Sequence, residues 1–248
     1  MVNTMKKRVN DVDINYITFG NEEGQDIVLL HGWGQNIQMM EPVANPFQKD
    51  YRITIIDLPG HGGSSEPLYP WLVSDFAAAI KELLTSLKIN DPIIIGHSFG
   101  GKIGLYYASK YKVKKLVLLA SPFKKSIDKP SLKVKVLKTL KKMPVINKLE
   151  GFAKRHIGSD DYRNASEVMR QVLVNTVNFD ITEDVKKINC PTIMIWGTND
   201  EAVPLADAYE LESLINDSAV IEYEGCTHYA YLERLSQTIS IISSFIRE

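Results

Sequence analysis

The sequence predicts an α/β fold in which helices cover a mostly parallel β-sheet. Short runs of β-branched residues alternate along the chain with segments whose apolar residues recur at helical spacing, which is typical of this class. Several runs are apolar throughout, as strands buried on both faces are. The alternation is interrupted once, between Pro122 and Ile188. The predicted strands, in order, are 13–19, 27–31, 51–57, 92–96, 114–120, 192–196 and 219–223.

Three helical segments are predicted around these strands. Segments 73–87 and 235–246 repeat their apolar residues at helical spacing, so we expect both to cover the sheet. Segment 101–110 is helix-like and follows the fourth predicted strand. The chain has 248 residues, of which 44% are hydrophobic, and it can bury a full core. It contains no internal repeat or Gly/Ser-rich linker, so nothing indicates independent domains in series.

The interruption predicts an insertion. Between Pro122 and Ile188 the helical pattern continues, but no convincing strand is found until 192–196. We therefore expect a helical cap, or lid, at 123–188. The two flanking parts, 1–122 and 189–248, would form one core.

Composition and charge exclude several classes of partner and location. The 29 basic and 30 acidic residues leave a net charge of −1, which favours small-molecule substrates over nucleic acid. No stretch reaches the roughly 18 apolar residues of a transmembrane helix, and the basic N-terminus lacks the apolar core of a secretion signal. Cys190 and Cys226 lack metal-ligand spacing, which favours a reducing cytoplasm, although a disulfide between them stays open.

A glycine-flanked serine is the strongest chemical signal. The residues GHSFG at 96–100 follow a predicted strand and precede a predicted helix. This pattern predicts a sharp, strained turn that exposes Ser98 as a nucleophile, with Gly96 and Gly100 allowing close backbone approach. The helix that follows directs its N–H groups toward developing negative charge. The alternative, a simple glycine-rich turn, is disfavoured by the strand before it and the helix after it.

A serine nucleophile needs a base and a carboxylate that orients that base. His228 lies after the last predicted strand, and Asp200 lies after the preceding one, so both should reach the sheet edge of Ser98. Taken separately, a loop histidine or a turn aspartate is more often structural. The chain order Ser98, Asp200, His228 favours a catalytic triad.

Backbone donors for an oxyanion are predicted in two loops. HGWG at 31–34 follows an early strand, so Trp33 should supply one N–H group and Phe99 the other. Gly32 and Gly34 would permit the turn. The alternative is a packing loop around a core tryptophan.

These motifs, together with DLPGHGGS at 57–64, resemble the α/β-hydrolase superfamily from residue 27 to the C-terminus. Within it, the chain looks most like small bacterial carboxylesterases of the pimeloyl carrier-protein methyl ester esterase type. The resemblance implies an eight-stranded, mostly parallel sheet, a cap after the sixth strand and chemistry without metal or cofactor. It also implies a structural role for His61. A serine at position 98 argues against the haloalkane dehalogenases, which use aspartate there.

The predicted cap is strongly basic at its start. Residues 123–150 contain nine lysines against two acidic residues, and apolar residues recur at helical spacing between Leu132 and Met143. One interpretation is a lid whose lysines are simply solvated. The other is that the cap recruits an acidic carrier protein or an anionic surface.

The sequence therefore predicts a serine hydrolase that cleaves a carboxylic ester or thioester of a small molecule through an acyl-enzyme on Ser98. Ester is favoured over amide because an alkoxide is the easier leaving group. Two alternatives stay open. The same triad could serve a cofactor-free lyase or acyltransferase, and the chain could be a weakly catalytic ligand sensor.

Overall fold

The computed structural model describes residues 4–125 and 165–247, and eight strands of these residues form one sheet. The strands are β1 (Met5–Val9), β2 (Val12–Gly20), β3 (Gln25–Leu30), β4 (Tyr51–Ile56), β5 (Ile93–His97), β6 (Lys115–Leu119), β7 (Thr192–Gly197) and β8 (Ser218–Tyr223). Their spatial order is β1-β2-β4-β3-β5-β6-β7-β8. Strand β2 pairs antiparallel with β1 and β4, and every other pairing is parallel. The predicted eight-stranded, mostly parallel sheet is confirmed.

Strand β1 is not among the strands that the sequence predicts. It runs Met5–Val9 and forms a hairpin with β2 through a turn at Asn10, whose φ is 50°. Four of its five residues are exposed, so it lacks the apolar alternation by which the other strands were recognised.

Helices cover both faces of the sheet. The described helices are α1 (Ile37–Ala44), α2 (Val73–Ser86), α3 (Phe99–Ala108), α4 (Glu167–Asn178), α5 (Thr182–Val185), α6 (Leu205–Leu214), α7 (Ala230–Glu233) and α8 (Leu235–Arg247), with a short 3₁₀ turn at Asn45–Phe47. The predicted helices at 73–87, 101–110 and 235–246 are thus present. Within the described ranges, no helix combines the length and apolarity needed to cross a membrane.

The central strands are buried on both faces, as their apolar runs predicted. In β5, Ile93 and Ile95 belong to one core layer and Ile94 to the other. Helices α2 and α3 close the layer of Ile94, which also contains Phe76, and α1 and α8 close the layer of Ile93 and Ile95, which also contains Ile242. Alternate side chains therefore anchor the sheet to two helical layers.

Cys190 and Cys226 are both free and buried. The open alternative of a disulfide between them is therefore not realised.

The predicted cap at 123–188 lies mostly outside the described residues, as do its basic stretch and its apolar stripe. Its boundaries remain a prediction. Its described part includes α4 and α5, and α4 is attached to the core by polar contacts. The Lys102 ammonium of α3 donates to the Thr176 carbonyl at 2.9 Å, and the Asn175 amide donates to the Trp71 carbonyl at 3.4 Å.

Lys102 is 1% exposed, and burial lowers its pKa to about 8, although the nearby Asp180 carboxylate acts in the opposite direction. The protonated form is therefore disfavoured in the fold. Between pH 8 and the ordinary lysine value of 10.5, the unfolded chain holds a proton that the folded chain has lost. Lys102 consequently contributes a rise in stability with pH across that window.

We expect Lys102→Met to remove this rise. The difference between wild type and variant in unfolding free energy should change by about 3 kcal/mol between pH 7 and pH 10.5, because one pKa unit corresponds to about 1.4 kcal/mol. Urea unfolding across that range measures the change. Lys112→Met is the control, since that side chain is 79% exposed. Parallel pH profiles for wild type and Lys102→Met would contradict the prediction.

Candidate active site

The predicted catalytic residues lie in loops at one edge of the sheet. Ser98 follows β5, Asp200 lies in the loop after β7, and His228 lies in the loop after β8. Trp33 belongs to the loop after β3, the neighbour of β5. Because these four strands run parallel, their carboxyl ends share one edge, which is where open α/β sheets bind ligands.

The turn at Ser98 is strained, as its sequence predicts. Ser98 has φ 50° and ψ −113°, a conformation that non-glycine residues rarely adopt. A Cβ at Gly96 would lie 2.5 Å from the Cα of Gly101, and one at Gly100 would lie 2.4 Å from the Leu30 carbonyl oxygen. Both glycines are therefore required by close backbone approach. The turn is held because the Ser98 N–H donates to the Leu119 carbonyl at 2.9 Å.

His228 and Asp200 form a buried hydrogen-bonded pair. His228 Nδ1 lies 2.8 Å from Asp200 Oδ2, and the residues are 7% and 8% exposed. The other carboxylate oxygen, Oδ1, accepts the N–H groups of Ala202 at 2.8 Å and Val203 at 2.9 Å. This fixes the carboxylate beside Nδ1, so the His228 proton is placed on Nδ1 and Nε2 is left able to accept one.

No hydrogen bond joins Ser98 to His228 among the described residues. The two loops are nevertheless adjacent, because the ring of His97, the residue before Ser98, lies 5.0 Å from the His228 ring. Nucleophile-to-base contacts in hydrolytic sites commonly shorten when substrate binds.

The loop that bears His228 is held by groups that the sequence did not single out. The Glu233 carboxylate accepts the Thr227 N–H at 3.2 Å and also the Thr227 hydroxyl. The Gln35 amide donates to the Tyr229 hydroxyl at 3.5 Å. Thr227 lies three residues before α7 and Glu233 is its last residue, a spacing of six that matches no capping motif, so the sequence offered no signal for this contact.

The predicted oxyanion loop is a closed turn. The Gly32 N–H donates to Gln35 Oε1 at 2.8 Å, and the Gln35 N–H donates back to the Gly32 carbonyl at 3.2 Å. Gly34 has φ 69°, which glycine adopts without strain. Among the described residues, no group accepts the Trp33 N–H, and Phe99 begins α3, where N–H groups have no partner within the helix.

The side chains of the two predicted donor residues are in contact. The rings of Trp33 and Phe99 lie 5.4 Å apart, and His61 packs edge-on against Trp33 at 4.8 Å. This packing holds the Trp33 side chain between Phe99 and His61. His61 therefore has the structural position that the resemblance implied.

Three further histidines near this edge are uncharged near pH 7. Burial lowers the pKa of His31 to about 4 and that of His61 to about 3, and it lowers the pKa of His97 well below its ordinary value. His31 accepts the Leu58 N–H at 3.0 Å, so its ring is part of the core. His156 lies outside the described residues. In the described part of the chain, no cluster of three His, Cys, Asp or Glu side chains could hold a metal ion.

Comparisons with known proteins agree with this architecture. The family model described as "alpha/beta hydrolase fold" matches residues 27–159 and 127–235. The chain is 24% identical to a pimeloyl-[acyl-carrier protein] methyl ester esterase of Aliivibrio fischeri over 91% of this chain and 95% of that protein. It is 25% identical to a 2-hydroxy-6-oxononadienedioate/2-hydroxy-6-oxononatrienedioate hydrolase of Pseudomonas putida, over 96% of this chain and 92% of that one.

A solved structure gives the same result for the fold. The esterase from Exiguobacterium antarcticum superposes with a TM-score of 0.82 at 22% identity, covering 100% of both chains. The family match spans most of the sequence, and the sheet order and the strained turn agree with it. The chain belongs to the α/β-hydrolase family, and its relatives include esterases and other hydrolases.

Proposed function

We propose that the protein is a cytoplasmic serine hydrolase that cleaves carboxylic esters or thioesters of small acyl substrates through an acyl-enzyme on Ser98. The observation that carries this proposal is the buried 2.8 Å contact between His228 Nδ1 and Asp200 Oδ2. It lies at the same sheet edge as a serine with φ 50°. A serine hydroxyl is a poor nucleophile near pH 7, and such a pair is what activates it.

The first half-reaction forms the acyl-enzyme. Ser98 Oγ attacks the acyl carbonyl carbon while its proton moves to His228 Nε2. The negative charge passes to the carbonyl oxygen, which accepts the N–H groups of Trp33 and Phe99. The Asp200 carboxylate stabilises the imidazolium through Nδ1. When the tetrahedral intermediate collapses, the bond to the leaving group breaks and His228 returns its proton to the departing oxygen or sulfur.

The second half-reaction restores the enzyme. Water gives a proton to His228 Nε2 and attacks the acyl carbon, and the bond to Ser98 Oγ then breaks with return of the proton to that oxygen. The products are a carboxylic acid and an alcohol or thiol. Every proton is moved by His228, so the proton transfers require no second acid or base.

The cap is proposed to choose the substrate. Residues 123–188 follow β6, so an insertion there would lie at the same sheet edge as Ser98. The excess of lysine in 123–150 suits an anionic partner, such as an acidic carrier protein or an anionic surface. A relative named for an acyl-carrier protein ester supports the first of these. If the cap binds an acidic carrier protein, the affinity for that carrier should fall steeply as the salt concentration rises.

Active-site labelling tests the proposal. A fluorophosphonate probe should modify the wild type on the peptide that contains Ser98, and a p-nitrophenyl ester series should be hydrolysed with a chain-length optimum. Ser109→Ala, at the far end of α3, is the matched control and should be labelled like the wild type. Absence of both labelling and turnover would overturn the proposal. Labelling without turnover would favour the ligand sensor.

A further inference from the structure

Two buried polar side chains join three of the four loops of the candidate site. Gln35 and His97, with the backbone groups they touch, are here called the Gln35–His97 network. Gln35 Oε1 accepts the Gly32 N–H at 2.8 Å and lies 3.2 Å from His97 Nδ1. His97 Nε2 lies 3.2 Å from the His228 carbonyl oxygen. The network therefore connects the oxyanion loop, the serine turn and the loop of the base.

The network is closed to solvent. His97 is 0% exposed and Gln35 is 3% exposed. The rings of Tyr229 and Tyr231 pack on His97 at 5.3 and 4.7 Å, and Gly32 lies so close that a Cβ there would be 2.8 Å from His97 Nδ1. Polar groups in such a site must be satisfied by one another.

His97 has two acceptors but only one proton to donate. Burial lowers its pKa well below the ordinary value, so the ring is neutral and one nitrogen carries hydrogen. The amide of Gln35 cannot offer a donor to Nδ1, because its Oε1 is fixed there by the Gly32 N–H and its Nε2 faces the Tyr229 hydroxyl. Both neighbours of the ring are therefore carbonyl oxygens, and the location of the proton decides which contact is a hydrogen bond.

The other hydrogen-bond donors to these two oxygens decide which nitrogen of His97 carries the proton. Gln35 Oε1 already accepts the Gly32 N–H. The His228 carbonyl has no donor other than His97 Nε2 among the described residues. An unpaired buried carbonyl costs free energy comparable to a lost hydrogen bond. The Nε2–H tautomer avoids that cost.

We propose that His97 carries its proton on Nε2 and donates it to the backbone carbonyl of His228, which makes His97 a positioning residue for the catalytic base. This inference rests on the proposed function of His228. Asp200 holds the imidazole ring of His228 through Nδ1, and His97 holds the backbone carbonyl of the same residue. A displacement of about 1 Å in a catalytic group costs on the order of 100-fold in rate.

Two substitutions distinguish the role of Nε2 of His97 from that of Nδ1. In His97→Gln, the side-chain amide nitrogen reaches the place of Nε2 and can still donate to the His228 carbonyl. In His97→Asn, the shorter amide reaches only the place of Nδ1. We expect kcat of His97→Gln to stay within about tenfold of wild type and kcat of His97→Asn to fall about 100-fold, with KM little changed in either.

Nitrogen NMR of histidine-labelled protein gives a reading that does not depend on activity. The His97 resonance, identified by its loss in His97→Gln, should show a protonated Nε2 and an unprotonated Nδ1. A protonated Nδ1 would overturn the tautomer, and equal kcat for the Gln and Asn variants would overturn the positioning role. If Ser98→Ala were as active as wild type, the proposed function would fail, while the NMR result would stand by itself.

Discussion

Ser98→Ala is expected to lower kcat on a p-nitrophenyl ester by about 10⁴- to 10⁶-fold, since removing the nucleophile of a triad leaves only binding and oxyanion stabilisation. The fold should be little affected. Ser98 is held through its backbone, with its N–H on the Leu119 carbonyl and its carbonyl accepting the Lys102 N–H at 3.0 Å. Alanine keeps both contacts at the same cost in backbone strain.

Steady-state kinetics and thermal unfolding of the same preparation measure this effect. The melting temperature of Ser98→Ala should stay within a few degrees of wild type, which would assign the loss of rate to chemistry. Ser109→Ala should keep full activity. A residual rate above about one-tenth of wild type would exclude Ser98 as the nucleophile, since even partial triads lose far more.

Asp200→Asn is expected to lower kcat by about 10⁴-fold while leaving the loop intact. The asparagine Oδ1 can still accept the N–H groups of Ala202 and Val203, so the local structure has the same acceptor. The amide nitrogen of the asparagine would present a hydrogen to His228 Nδ1, where the Asp200 carboxylate presents an oxygen lone pair. The His228 proton would then move to Nε2, where it blocks acceptance of the serine proton.

The neighbouring carboxylate provides the control for charge. Glu201 is exposed, and Glu201→Gln removes the same charge one residue away, so its kcat should match that of wild type. Asp200→Ala should be slow and also less stable, because the part-buried Ala202 N–H and the buried Val203 N–H lose their acceptor. A loss below about tenfold in Asp200→Asn would contradict the assignment of Asp200, given the loss expected for a triad aspartate.

The sheet and the location of the candidate triad were predictable for the same physical reason. Buried parallel strands are marked by apolar runs, as in β5 and β7, which precede Ser98 and Asp200. His228 follows β8, a mostly unburied strand that carries a short β-branched run. Local pattern and chain order were therefore sufficient to bring the three residues to one edge. Their catalytic roles stay a prediction until the kinetics are measured.

The supporting contacts were not predictable in this way. Gln35 meets Tyr229, which lies 194 positions further along the chain, only because two loops converge in space. No periodicity in either segment encodes that meeting. The donors and acceptors of His97 depend equally on the folded arrangement, since its nearest sequence neighbours do not contact its ring nitrogens. Strand β1 was missed for the opposite reason, because an exposed strand has no apolar pattern to detect.

That exposed strand bears on aggregation. As the outermost strand of the sheet, β1 presents unpaired backbone groups to which a second copy could add a strand. Lys6, Lys7 and Arg8 occupy its middle and are all exposed. Another β1 aligned against it would bring like charges face to face, which is unfavourable. The same exposed basic residues that leave β1 without an apolar pattern thus disfavour edge-to-edge pairing of β1 between two molecules.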